Sequence, residues 1–239
     1  MRSIIIFYIL LATLLTAQGE NTLNFAIGEW NPHTGTSLPE YGFVTAVVRK
    51  ACLEAGLSPT FYFFPWPRAE YLVQKGDFFA TFPYLQIPER EDFFYFSDPL
   101  FISKLIIVRN KDSKRTAEFK YSGRIEELKS YRIGTTAGTK AVVVPLRSRG
   151  ILVEESASLD FALKKLAKGR LDFVIDEYKV ILDASKNLFR GQENPIDIIE
   201  KPFAENLEYC LMVSKAYPNA QVLLKRFNEG LRKVLGQEK

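Results

Sequence analysis

His33 is the only histidine in a chain of 239 residues. It lies in the loop-like stretch NPHTGTS, so metal or acid–base chemistry would rest on carboxylates, alone or with this one ring. No HExxH, CxxC or GxSxG sequence occurs, and a serine triad would need His33 as its base with no elbow to present the nucleophile. Aspartates and glutamates are plentiful enough for a paired-carboxylate hydrolase, which stays open as the enzymatic alternative. The residue inventory otherwise reads as that of a non-enzyme, with no cofactor and no metal site.

Other residues suit binding better than bond-breaking. Asp176 closes the apolar run LDFVID, and the carboxyl end of a strand in an open α/β sheet faces the crevice where ligands are taken. Its alternative role is to cap a helix beginning near Tyr178. The stretch IGTTAGT leads from a strand into a helix, so unpaired N–H groups of Gly138, Thr139 and Lys140 could converge on an anion. Three residues separate Gly134 from Gly138 and Lys140 does not follow the glycine directly, which misses the nucleotide P-loop. Thr139 as a plain capping residue is equally consistent. Trp30 and Trp66 each follow a strand, where a parallel sheet presents side chains to a cleft. With 19 Phe and 11 Tyr in the chain, many aromatics must be ordinary core.

The elements that position these residues alternate. LNFAIG, TFYFF, YRIGTT, ILVEE and LDFVID read as strands. Helices are expected from about Phe43 to Ala55, from Pro67 to Gly76, from Thr139 onward and from Ser158 to Lys168. This alternation predicts a parallel α/β sheet. In the first helix Phe43, Val44, Val47, Val48, Ala51 and Cys52 recur at helical spacing. Pro67 suits a first turn, and Gly56 and Gly76 suit helix ends. The alternating strand LEYCLMV precedes a terminal amphipathic helix with Val222, Leu223, Phe227, Leu231 and Val234 on one face. The polar segment NKDSKRTAEFKYSG marks a connector or an exposed strand pair, with a lobe boundary near residue 109.

Length and composition set the frame. The segment MRSIIIFYILLATLLTAQGE has an early cation at Arg2, an apolar run from Ile4 to Leu15 and small residues at Ala17 and Gly19, the layout of a signal peptide. That run is roughly a dozen residues, short of the about 20 that a membrane-spanning helix needs. Residues 1–19 are therefore read as a leader and the mature product as soluble and periplasmic. No cysteine near the cut suggests a lipid anchor. About 220 remaining residues allow one large domain or two lobes of about 100. A net charge of +4 arises from interspersed charges, a pattern that does not suggest nucleic acid. Cys52 and Cys210 read as core positions of a helix and a strand, either bridged or simply buried.

Taken in order, GEWNP, YGFVTAVV, FPWPRAEYLVQKGDF, IPEREDFFYFSDPL, IGTTAGT, GRLDFVIDE and NLEYCLMVSKAYP resemble the family-3 extracellular solute-binding proteins that serve amino-acid uptake by ABC transporters. The resemblance covers nearly all of the mature chain. It implies a two-lobed, periplasmic-binding-protein-like (type II) α/β fold with a hinged cleft. Lobe 1 would comprise residues 20–108 and 204–239, and lobe 2 residues 109–203. It further implies that Arg90, in PERE, takes a ligand carboxylate through its planar guanidinium, unless it is a surface arginine paired with Glu89 or Glu91. Asp176 would take the ligand's ammonium. Pro83 and Tyr84 fall where family members offer serine-type contacts, and the stretch is less polar here. The expected partners are a small polar ligand, an amino acid or similar, and an ABC permease; the expected state is a monomer. Docking on a membrane signalling protein is the rival role.

Overall fold

The computed structural model describes residues 21–236, and the leader expected at residues 1–19 lies outside them. The chain divides into two units: one runs through Phe101 and resumes at Glu208, and the other is Ile102–Leu207. The first contains β1 (Thr22–Ile27), α1 (Phe43–Glu54), β2 (Ser58–Phe63), α2 (Trp66–Lys75), β3 (Ala80–Leu85), the single turn α3 (Pro88–Glu91) and the start of β4 (Phe94–Asn110). The second holds the rest of β4, then β5 (Ile133–Thr136), α4 (Lys140–Arg147), β6 (Val153–Ser156), α5 (Leu159–Ala167), β7 (Phe173–Glu177), α6 (Tyr178–Leu188) and β8 (Ile196–Ile198). The chain returns through β9 (Ala204–Ser214) to α7 (Ala220–Val234).

In the first unit β1 pairs in parallel with β2 and β3, while β9 lies antiparallel to β3. The carboxyl ends of β1, β2 and β3 therefore share one edge, and the loops leaving that edge carry Gly28 to Trp30, Trp66 and Arg90. Phe25, Phe79 and Phe82 are fully buried, and Phe25 meets the other two edge-on at centroid distances of 5.7 and 5.8 Å. Edge-to-face contact is the favoured geometry for such rings. Gly76 ends α2 at φ 83°, a left-handed conformation that glycine adopts without penalty, and donates to Leu72 and Val73 carbonyls.

Helices α1 and α7 pack closely at one point. A Cβ built on Gly230 would lie 2.1 Å from the carbonyl oxygen of Ala51, and backbone on backbone cannot yield as a side chain does. Gly230→Ala is expected to cost about 1–3 kcal/mol, read as a drop of several degrees in the unfolding midpoint. A change below one degree would show that the two helices separate freely.

In the second unit β5 runs parallel to β6 and β7, and β4 lies antiparallel to β7 and β8. Leu105, Ile107, Phe173 and Ile175 on the sheet cover Val142 and Leu146 of α4. At the amino end of β7, buried Asp172 accepts from Arg132 (2.8 Å) and Arg115 (3.1 Å), tying the strand to the connector before β5. Asp176 stands at the opposite, carboxyl end.

One expectation is corrected. The expected helical face at the C-terminus included Val222, which is 62% exposed; Ala220, Leu223, Leu224, Phe227, Gly230 and Leu231 form the buried stripe instead. The division between the units falls within β4, at Phe101, eight residues before the expected position. That strand continues without a break through Asn110, so the drop in apolar density at Lys111 marks the strand's end and not a unit's. The polar segment after it forms turns, the connector of the two alternatives.

Candidate functional site

In the first unit a cluster forms at the shared strand edge. Helix α2 opens immediately after β2, and its ends are set by Pro65 and Pro67 at the start and Gly76 at the finish. Trp66 is thereby placed over Gly28: a Cβ at Gly28 would meet the indole ring at 2.5 Å. The indole Nε1 donates to the Glu29 carbonyl at 3.2 Å. Its ring packs edge-on against Tyr84 at 5.6 Å.

Arg90 completes this group. It is 8% exposed, and its guanidinium lies 4.5 Å from the centre of the Tyr84 ring, a cation–π geometry. Nη1 donates to the Leu85 carbonyl at 3.2 Å. Nη2 faces Glu70 at 3.5 Å, whereas Glu91 instead accepts from Gln86. The alternative of a surface arginine paired with a sequence neighbour therefore does not hold. Nε is buried and has no hydrogen-bond partner among the described residues. Burial, and next the Glu70 carboxylate, hold the Tyr84 phenol well above its ordinary pKa.

Glu70 was not among the expected residues. The signal for it was available: four residues after Trp66 on α2, it lies on the same helical face. What sequence spacing lacks is the distance from α2 to the turn carrying Arg90.

Trp30 belongs to a different group of the same unit. Its ring lies 4.4 Å from His33 and 5.4 Å from Tyr209. His33 stacks on Phe101 at 4.8 Å, and Phe101 stacks on Tyr209 at 4.8 Å. His33 lies in a turn and is fully buried in this pile.

In the second unit Asp176 is 2% exposed. Its Oδ2 accepts from the Thr136 hydroxyl at 2.7 Å and its Oδ1 from the Glu177 N–H at 2.8 Å. Burial raises the pKa of this carboxyl above the usual range, against the opposing pull of those hydrogen bonds. Capping of α6 falls to the next residue, since Glu177 accepts from the Val180 N–H at 2.9 Å. The Ser103 hydroxyl donates to the other oxygen of Glu177. Beside them, Lys104 lies over the Tyr178 ring at 5.0 Å.

The unpaired N–H groups expected at the start of α4 are, in this structure, paired. Gly138 N–H donates to Glu155 Oε2 at 3.1 Å. Thr139 N–H donates to the Thr136 carbonyl and Lys140 N–H to that of Gly138. Thr139 sits at the capping position without a side-chain capping bond. Glu155 is anchored in turn by Arg147 at 2.8 Å. A helix start attracts an anion, and here the chain's own glutamate answers it.

Cys52 and Cys210 are free and buried, and burial pushes both thiols up to about 12. Neither can supply a thiolate nucleophile at neutral pH. A thiol reagent at pH 8 is expected to label neither in the native protein and both after denaturation; fast native labelling would contradict the packing. Among the described residues no three of His, Cys, Asp and Glu are grouped to hold a metal ion, and no helix is long and apolar enough to cross a membrane.

No protein-family model matches the sequence, and no curated protein matches it. Solved structures do. The GluR0 ligand-binding core from Nostoc punctiforme, in complex with L-glutamate, superposes with a TM-score of 0.70 at 21% identity, covering 90% of this chain and 94% of that one. Holo ArgBP from T. maritima gives 0.72 at 18%, covering 91% and 92%. ArtJ, an arginine-, lysine-, histidine-binding protein from Geobacillus stearothermophilus, gives 0.69 at 19%, covering 89% and 90%. These likenesses establish the fold. The chain has the α/β architecture of two-lobed periplasmic binding proteins, as its resemblance implied.

Proposed function

We propose that this protein is a non-enzymatic receptor that captures a small polar solute, an amino acid or close relative. Arg90 takes the ligand's carboxylate and Asp176 its ammonium, with Trp30, Trp66 and Tyr84 as aromatic walls and the Gly138–Thr139 turn beside them. The observation that carries this reading is Arg90: a buried guanidinium, braced on the Tyr84 ring, whose Nε has no acceptor among the described residues. Buried donors in native proteins find partners, and a planar fork fits a carboxylate. The bound glutamate and arginine of structures with this fold support an amino acid as the solute.

The receptor is proposed to work as a periplasmic monomer that delivers its ligand to an ABC permease. Titration calorimetry of the purified chain against amino acids tests the ligand class, with saturable one-to-one binding expected and silence across all twenty contradicting it. Deletion of the coding sequence should abolish uptake of the same solute. Retained uptake with a lost transcriptional response would instead make the protein a sensor.

A further inference from the structure

Resting on the amino-acid reading, we infer that Glu70 sets the charge class of ligand: the site admits amino acids with neutral or basic side chains and rejects those with a second carboxylate. Structures of this fold hold glutamate, glutamine and arginine, so the fold itself does not choose among side chains. The choice lies in residues beside the carboxylate anchor.

Glu70 stands there. It lies 3.5 Å from the Arg90 guanidinium, and its side chain keeps 27% of its surface exposed against 9% for the arginine. Its charge also reaches the Tyr84 phenol, which it helps burial to hold above the ordinary pKa. Arg90 therefore presents one positive charge already half answered by the chain, with its Nε still to be satisfied. One ligand carboxylate meets that remaining need, whereas a second meets Glu70. The other unit repeats the pattern, since Glu155 occupies the Gly138 N–H at the start of α4. Two like charges about 6 Å apart at an effective permittivity near 20 would cost roughly a hundredfold in affinity, and solvent screening reduces this to about tenfold.

Calorimetric titration of wild-type and Glu70→Gln protein with the twenty amino acids tests the inference. Glutamine keeps the volume of the side chain and removes its charge. In the wild type, glutamate and aspartate should bind at least about tenfold more weakly than glutamine and asparagine. In Glu70→Gln, the acidic ligands should gain about tenfold while their amides do not. The 5-methyl ester of glutamate reads the same effect without a mutation, and should bind the wild type like glutamine. Acidic ligands that match their amides in the wild type, that fail to gain in the variant, or an ester that binds no better than glutamate would overturn the role of Glu70 and leave the receptor reading standing. Binding of no amino acid at all would overturn both.

Discussion

Arg90→Ala is expected to weaken amino-acid binding by roughly thirtyfold to several-thousandfold, the equivalent of the about 2–5 kcal/mol lost when one member of a buried, hydrogen-bonded charge pair is truncated. The size follows from where the guanidinium sits. It is largely buried, its plane is set by Tyr84 and by the Leu85 carbonyl, and little reorganisation is needed before it meets a carboxylate. The same substitution removes a hydrogen bond and a cation–π contact from the free protein, a cost of roughly 1–3 kcal/mol in stability. Loss of Glu70's partner adds little, because that carboxylate is partly open to water. Calorimetry at fixed salt separates the two effects, since affinity is compared between folded proteins. An affinity within threefold of wild type would remove Arg90 from the site.

Asp176→Asn should separate stability from function in the opposite sense. The folded-state pKa of Asp176 is raised by burial, so the folded chain holds this proton more tightly than the unfolded one. From this group alone, stability falls as pH rises through the window between the unfolded carboxylate value, about 3.9, and the raised folded value; above that window the charge is a standing cost. Asparagine removes the charge yet still accepts from the Glu177 N–H, and the Thr136 hydroxyl can turn to accept from its amide. The variant should therefore unfold at or above the wild-type midpoint at pH 7 while losing most of its affinity for an ammonium-bearing ligand. A functional residue kept at a cost in stability is a familiar trade-off. A clear fall in the midpoint at pH 7, with binding retained, would make Asp176 a structural residue only.

Much of this was open to inspection in the sequence, for local reasons. Strand and helix alternation, the glycines closing α1 and α2, and the placement of Asp176 at a strand's carboxyl end follow from short-range periodicity and turn chemistry. Contacts set by distance along the fold were not open in the same way. Glu70 and Arg90 are twenty residues apart, and only the packing of α2 against the turn after β3 brings their charges together. The engagement of Gly138 by Glu155 likewise depends on the parallel pairing of β5 with β6. Val222 was misplaced because Ala220 and Gly230 carry too little bulk to mark the buried stripe, so a stripe one position away fits the larger apolar residues nearly as well. His33 lies in a turn, as its neighbours suggest, while its burial depends on the rings of Trp30, Phe43 and Phe101, the last from a distant segment.

The most direct test of the account is the thermal unfolding midpoint of the wild-type protein measured against amino acids, oligopeptides, organic acids and sugars. A ligand present at about 100 times its dissociation constant adds about 2.7 kcal/mol, a rise of roughly 5–10 °C for a chain of this size. The account predicts that rise with one or more amino acids and none with the sugars or the organic acids. A midpoint that no amino acid moves, or that only a sugar or an amine-free acid raises, would contradict it.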